Sequence, residues 1–402
     1  MNNIEIEILR SSYGGDGIGY IDGVVCFVSK ALPGEKVTVK NLRKSKNFIR
    51  AEIDEILIKS EHRLKPLCQY CDNYRINAGV YNCAGCTYQH VDYLEEVRLK
   101  YGQFIDLLKR IGGINEPNLA NKIFADNPYF YRNKITIHKG TINSVVGFYT
   151  EDNSSVINID NCFLAMHPIN NSFNEVKRIA FDNLEADSVT VRYTECDGVY
   201  FFTPFKKNKI KILTEKNDYG TFLVPAESFY QVNHYMHNKM LDMFFNILKS
   251  LNVKHAIDLY CGIGIFGILA ASSGIEKVIA VDKDESAIKL AQTNADIANI
   301  TNIDFYASSS EDVAGKCFDL VSPEKTVLII DPPRTGMNSK LVERILKNKL
   351  KHLIYISCAP DTLSRDLKLL TKEFYCLEQT NFIDMFPRTK HFESVSLLTL
   401  KK

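Results

Sequence analysis

Four groups of residues in this chain have types and spacings that could do chemistry. Cys358 stands just past the apolar run LIYIS, in SCAPDTLSRD (357–366), and a thiol there could serve as a nucleophile. Taken alone, such a thiol is more often a small buried apolar side chain. Glu393, in HFESV, is a carboxylate at the start of a strand-like run, where it could be a base or merely half-exposed. DLYCGIG (258–264) closes a strand and opens a helix. Glycines there let the backbone turn sharply and approach a ligand. Cys68, Cys71, Cys83 and Cys86 fall within nineteen positions. In a reducing compartment such a cluster points to metal or catalysis before disulfides, and Cys83-x-x-Cys86 alone suits zinc, an iron–sulfur cluster or neither.

The glycine turn gains meaning from two acids downstream of it. Asp282 ends the next strand-like run, where an acid can accept hydrogen bonds from a ribose diol. Asp331 ends a later one, and ligands of such folds lie outside the carboxyl ends of strands. Gly267 makes a G-x-G-x-x-G formally present but shifted, and the D-x-x-x-G-x-G form favours S-adenosyl-L-methionine over a nicotinamide cofactor.

The elements that must position these groups read as three regions. Over 1–59, Ile4, Ile6 and Ile8 alternate with polar residues, Gly14, Gly15, Gly17 and Gly19 read as turn punctuation, and strand-like runs resume around Pro33-Gly34. This predicts a small β-barrel. Its last part carries Lys40, Arg43, Lys44, Lys46 and Arg50 with no intervening acid. That run is either a solvated edge strand or a face for RNA backbone. A helix is expected over the face made by Val91, Leu94, Val97, Tyr101, Ile105 and Leu108, ending at Gly112-Gly113. The stretch 121–224 is mixed and β-rich. From about 225, strands alternate with helices, which predicts a parallel sheet covered on both faces.

The 402 residues suffice for two or three domains. With 49 Lys+Arg against 48 Asp+Glu, the net charge of +1 leaves nucleic acid open, since binding needs only a local basic surface. No stretch approaches a membrane span, and MNNIEIEILRSS has charges where a signal peptide needs an apolar core. A cytoplasmic protein without membrane contact or obligate protein partner is expected.

DPPRTG (331–336), SCAPDTLSRD and DMFPRTKHFESV (384–395) form a set with YRNK (131–134), FYQVN (229–233) and DLYCGIGIF (258–266). Together they resemble the RNA uracil-5-methyltransferase family. GIGYIDGVVCFVSKALPGEKV is similar to a TRAM domain, and CAGCTYQHVDY is similar to the cysteine signature of the family's large-subunit (23S) ribosomal RNA branch. The resemblance runs nearly end to end. It implies a Rossmann-like α/β catalytic domain (91–120 and 225–402), an OB-like TRAM barrel (1–59) and a mixed β-rich central iron–sulfur domain (60–90 and 121–224).

In that family a thiolate adds to C6 of uracil, C5 then takes a methyl group, and a base removes the C5 proton before the thiol leaves. The resemblance assigns the nucleophile to Cys358 and the base to Glu393. It assigns Gln231, Tyr260, Asp282 and Asp331 to the S-adenosyl-L-methionine site, and suggests phosphate contact for Arg334. It implies a 4Fe-4S cluster on Cys68, Cys83, Cys86 and Cys162, with Cys71 as rival to Cys68. Ala359 stands where the family usually has Asn, Asp282 where it often has Glu, and Ala84 where it has Gly. A transfer-RNA uracil-5-methyltransferase and a non-catalytic RNA-binding or ribosome-assembly factor are the competing expectations.

Overall fold

The computed structural model describes residues 4–401 except 72–73, 77–78, 142–144, 183–185 and 205–210, with backbone alone over 74–76 and 79–81.

The N-terminal strands form one sheet in the order Ile4–Glu7, Lys36–Lys44, Ile49–Ile58, Val24–Ser29, Gly17–Ile21, Arg10–Ser11. Its two edges belong to one stretch of chain. Ile4–Glu7 pairs with Lys36–Lys44, and Arg10–Ser11 pairs with Gly17–Ile21, so segment 4–11 closes the barrel. The alternation of Ile4, Ile6 and Ile8 works as expected: Ile6 and Ile8 are buried with Cys26, Val28, Val37 and Val39. Two of the four glycines depart from the turn reading. Gly17 and Gly19 are strand residues, and a Cβ on them would lie 2.7 Å and 2.3 Å from the Cγ2 atoms of Ile8 and Ile6. Their lack of a side chain lets the strand cross its neighbour at the seam of the barrel.

An antiparallel sheet comes next in the order Val156–Asn158, Val146–Tyr149, Lys134–Lys139, Ser188–Thr194, Gly198–Phe202, with helices His167–Asn171 and Phe173–Asp182 on it. The hairpin Ile212–Asn217/Gly220–Pro225 reaches both ways. Glu215 pairs with Arg192 at 3.0 Å, and Leu223 N donates to Asn294 Oδ1 at 2.7 Å.

The C-terminal sheet has eight strands in the order Ile303–Ala307, Lys277–Asp282, His255–Leu259, Thr326–Ile330, His352–Ser357, Glu393–Leu400, Tyr375–Ile383, Leu119–Ile123. The first five are parallel. Strand Thr326–Ile330 is buried throughout, as a central parallel strand covered on both faces should be. Two large apolar clusters fill the spaces between this sheet and its helices. The all-parallel expectation fails at one strand: Glu393–Leu400 runs antiparallel between its neighbours. That reversal matters for the site, because it brings the start of one strand beside the end of the next.

The predicted helix is Tyr93–Arg110, capped by Asp92, whose side chain accepts from Glu95 N. It packs against helix Pro360–Thr371. Among the described residues, no helix is long and apolar enough to cross a membrane.

Candidate active site

The site is assembled at the carboxyl ends of the parallel strands. Ser357 ends its strand opposite Ser394, so one step further the ladder sets Cys358 beside Glu393. Asp331 comes directly after Ile330 on the neighbouring strand. Arg334, three residues on, is exposed and lies beside Cys358 and Glu393. Glu393 is only 3 % exposed, and Cys358 is half-buried.

Low dielectric and like charge dominate the electrostatics here. Burial, then the charges of Glu393 and Asp331, push the Cys358 thiol up to about 11, while Arg334 pulls it down. Burial and Asp331 also hold the Glu393 carboxyl well above the usual range, and burial raises Asp331 to about 7. His391 is pushed down to about 4 by burial and by Arg334. Cys358 and Glu393 both feel the Arg334 cation, yet burial and like charge leave each inclined to keep its proton.

The flanking motif residues hold this arrangement. Asp366, fully buried, accepts from Met337 N and from the Tyr355 hydroxyl, each at 2.8 Å. Arg365 donates to Thr335 O and Met337 O, stapling the DPPRTG loop to helix Pro360–Thr371. The Thr362 hydroxyl donates to Arg334 O at 3.1 Å. Ala359 caps that helix with no side-chain bond, so the donor group an Asn would bring is absent. Instead Ala359 N donates to Ser357 Oγ at 3.1 Å.

The loop carrying Glu393 is fixed by a buried charge network that the sequence did not reveal. Lys100, from helix Tyr93–Arg110, contacts Asp384 at 2.8 Å and Glu96 at 2.7 Å, all three fully buried. Arg388 donates to Glu96 and to Val91 O, and its own carbonyl accepts from Thr87 N and Tyr88 N. Removing one member would strand a buried charge at a cost of about 3–5 kcal/mol. The i,i+4 spacing of Glu96 and Lys100 was visible, but its partners lie almost 300 positions away.

Of the cofactor-assigned residues, Tyr260 and Asp282 lie at the glycine turn and Asp331 at the neighbouring strand end. Gly262 and Gly264 take φ of +52° and +88°, and a Cβ on Gly262 would meet nothing within 4 Å, leaving open space over the turn. Asp282 accepts from Gly262 N at 2.9 Å. Tyr260, itself at φ +65°, donates its hydroxyl to Glu311 at 2.6 Å; Glu311 lies on helix Ser310–Asp319, which no sequence motif singles out. Gln231 is buried with an unpartnered Oε1, and Asn233 in the same segment donates to Met385 O at 3.0 Å. An open turn, a carboxylate tied to it and an unsatisfied buried amide oxygen fit a bound nucleoside cofactor.

All five expected cysteines come together elsewhere. Cys68, Cys71, Cys83, Cys86 and Cys162 line one cavity of about 220 Å³, together with Arg132. Gln89 donates to Cys86 Sγ at 3.2 Å and accepts from Cys68 N. The Cys71 thiol lies between those of Cys68 and Cys86, in contact with both. Among the described residues, no three His, Cys, Asp or Glu converge as a metal-holding group.

Comparison with known proteins adds what the chain as a whole is similar to. Residues 205–401 match the family model described as tRNA (Uracil-5-)-methyltransferase, and residues 2–53 match the TRAM domain. The chain is 29% identical to an uncharacterized RNA methyltransferase of Listeria innocua, over 99% of this chain and 98% of that one. It is also 29% identical to one of Aquifex aeolicus, over 99% of each. Its fold is similar to that of the Pyrococcus abyssi tRNA (uracil-54, C5)-methyltransferase solved with S-adenosyl-L-homocysteine. That match has a TM-score of 0.72 and 23% identity, and it covers 98% of this chain and 100% of that one.

Proposed function

We propose, from the matches to the uracil-5-methyltransferase family model and the TRAM domain and from the full-length RNA methyltransferase relatives, that the chain is an RNA uracil-5-methyltransferase that methylates C5 of a uridine in 23S ribosomal RNA, with Cys358 as nucleophile and Glu393 as base. On this reading residues 1–59 are the RNA-binding barrel, 60–90 and 121–224 the central unit, and 91–120 with 225–402 the catalytic unit, acting in the cytoplasm. The observation that carries it is the strand register that sets Cys358 beside Glu393 at the edge of the glycine turn's sheet.

The chemistry demands this pairing. C5 of uracil is a poor nucleophile, and addition of a thiolate at C6 makes it enolate-like. S-adenosyl-L-methionine supplies the methyl group when bound, held by Gln231, Tyr260, Asp282 and Asp331. The Cys358 sulfur bonds to C6, Glu393 takes the C5 proton after methylation, and the electron pair of the C5–H bond re-forms the C5–C6 double bond as the sulfur leaves with the pair of its own bond to C6. Transcripts of 23S and transfer RNA, incubated with labelled S-adenosyl-L-methionine, test the substrate. Label in the transfer RNA alone overturns the ribosomal assignment and favours the second reading, a transfer-RNA substrate like that named for the Pyrococcus abyssi neighbour. Label in neither overturns both.

A pH dependence arises from the raised thiol. The thiolate is the reactive form, and its fraction grows about tenfold per pH unit below the folded-state value. The rate of covalent attachment to RNA should therefore climb between roughly pH 7 and 9. Arg334→Gln removes the group that pulls the thiol down, so the profile should move to higher pH with a slower rate at neutrality. A profile flat from neutrality upward is the contrary result.

For the cysteine cavity the same proposal assigns a 4Fe-4S cluster to Cys68, Cys83, Cys86 and Cys162. All-thiolate coordination suits iron–sulfur, and Arg132 supplies a balancing cation at the wall. Anaerobically purified protein should be brown with about four irons per chain. Cys68→Ser should lose the iron and Cys71→Ser keep it. Colourless protein holding zinc refutes the cluster, and the reverse outcome for the two serines moves the first ligand to Cys71.

A further inference from the structure

Along the chain the N-terminal barrel lies far from Cys358 and Glu393, which suits a role in RNA affinity alone. In space a barrel side chain comes up to the segment that carries Glu393. Tyr13 lies in the turn between strands Arg10–Ser11 and Gly17–Ile21, and its ring meets Phe392, the neighbour of Glu393, edge-on at 6.0 Å between centroids. It is half-buried, so part of it remains accessible. Cys358, Asp361 and Arg334 are all within electrostatic reach of its phenol.

The turn is held from several sides. Ser12 N donates to Asp16 O at 2.8 Å, and Gly15 N donates to Ser12 O at 3.0 Å. Gln103, on helix Tyr93–Arg110, donates to Ser11 Oγ at 2.9 Å. Asp16 pairs with Arg50 at 2.8 Å, which links the turn to the end of the basic hairpin. Gly15 takes φ +98°, and a Cβ there would lie 2.5 Å from Thr87 Cγ2, so the backbone presses directly on the segment just past the cysteines. A side chain presented by so constrained a turn is placed, not loose.

We propose that Tyr13 forms one wall of the target-nucleotide site and holds the uracil over Cys358. This rests on the reading that Cys358 attacks uracil. An aromatic ring offers a nucleobase a stacking or edge contact that does not depend on the surrounding sequence. The hydroxyl adds a donor where the site otherwise presents acids. Burial, Asp361 and Cys358 push it up to about 12, so it keeps its proton at neutral pH. The barrel then contributes to the chemical step as well as to affinity.

The test uses the full chain, S-adenosyl-L-methionine and 23S transcripts made with 5-fluorouridine. Fluorine cannot leave C5 as a cation, so the protein–RNA adduct formed by Cys358 persists and its rate can be read at saturating RNA. Tyr13→Leu keeps apolar packing on Phe392 and removes both ring and donor. It should slow adduct formation about tenfold, the loss expected for one base–aromatic contact, with S-adenosyl-L-methionine affinity unchanged. Tyr13→Phe should fall between Tyr13→Leu and the parent chain. If Tyr13→Leu matches the parent at saturating RNA, the residue only packs and the proposal is overturned. It is overturned equally if cofactor affinity falls in step with the adduct, since the residue would then act through the fold. A parent chain that forms no adduct refutes the nucleophile reading itself, and the Tyr13 proposal with it.

Discussion

Cys358→Ala lowers methyl transfer by on the order of 10⁴-fold or more while RNA and S-adenosyl-L-methionine still bind: that is the expected result of deleting the proposed nucleophile. Three features of the site make the variant a clean one. Cys358 is half-buried, so truncation to alanine opens little cavity. Its backbone continues a ladder fixed by Ser357 and Ser394, which the substitution leaves alone. The DPPRTG loop stays stapled through Arg365 and Asp366. Removing the thiol adds no charge to the site, so the acids around it are not further disturbed. The measurement is single-turnover methylation of the RNA beside its binding affinity. Methylation close to the parent rate defeats the covalent mechanism. Lost methylation together with lost RNA binding points to misfolding, and Cys358→Ser then decides: it keeps the size of the side chain but is a far weaker nucleophile, and should be as inactive as alanine.

Much of this site was legible in the sequence because its motifs are short and local. DLYCGIG had to be a strand, a turn and a helix, since glycine most readily takes the backbone that Gly262 and Gly264 adopt. The alternating isoleucines of 4–8 had to be a half-buried strand. What remained hidden was contact between distant segments. Nothing in the spacing of Glu96 and Lys100 tells that Asp384 and Arg388 complete their network. Likewise Tyr13 and Phe392 are neighbours only because the barrel docks on helix Tyr93–Arg110. The antiparallel insertion of Glu393–Leu400 escaped for another reason. A buried strand reads as a run of apolar residues whichever way it points, so direction is set by the chain's path and not by composition. The misread glycines, Gly17 and Gly19, show the same limit: their need is set by Ile6 and Ile8 across the seam.

Glu393→Gln separates the two halves of the proposed reaction. The carboxyl is buried and held well above its usual range, so much of the time it carries its proton. Glutamine has nearly the shape of that neutral form and keeps a donor and an acceptor, so the strand Glu393–Leu400 and its register with Ile383 should survive. Attack by Cys358 is expected to proceed, because the amide leaves the thiol in much the surroundings that the protonated carboxyl gives it. Methyl transfer to C5 needs no base. Removal of the C5 proton does, and an amide cannot accept it, so the sulfur cannot leave. Turnover should drop by about 10²–10⁴-fold, the usual worth of a positioned base. A protein–RNA adduct that survives denaturing electrophoresis should accumulate on natural uridine, and the methyl label should travel with it. Without the cofactor no methylated adduct forms, and the thiol can leave by reversal of its addition. If instead the variant turns over freely with no adduct, another group takes the proton. Asp331 is then the first to replace: it is partly buried, borders the same thiol and is raised only to about 7. If turnover is lost but no adduct appears, Glu393 acts before methylation, on the proton of the thiol. The same Gln variant would then fail to attach to 5-fluorouridine RNA, where the parent chain succeeds.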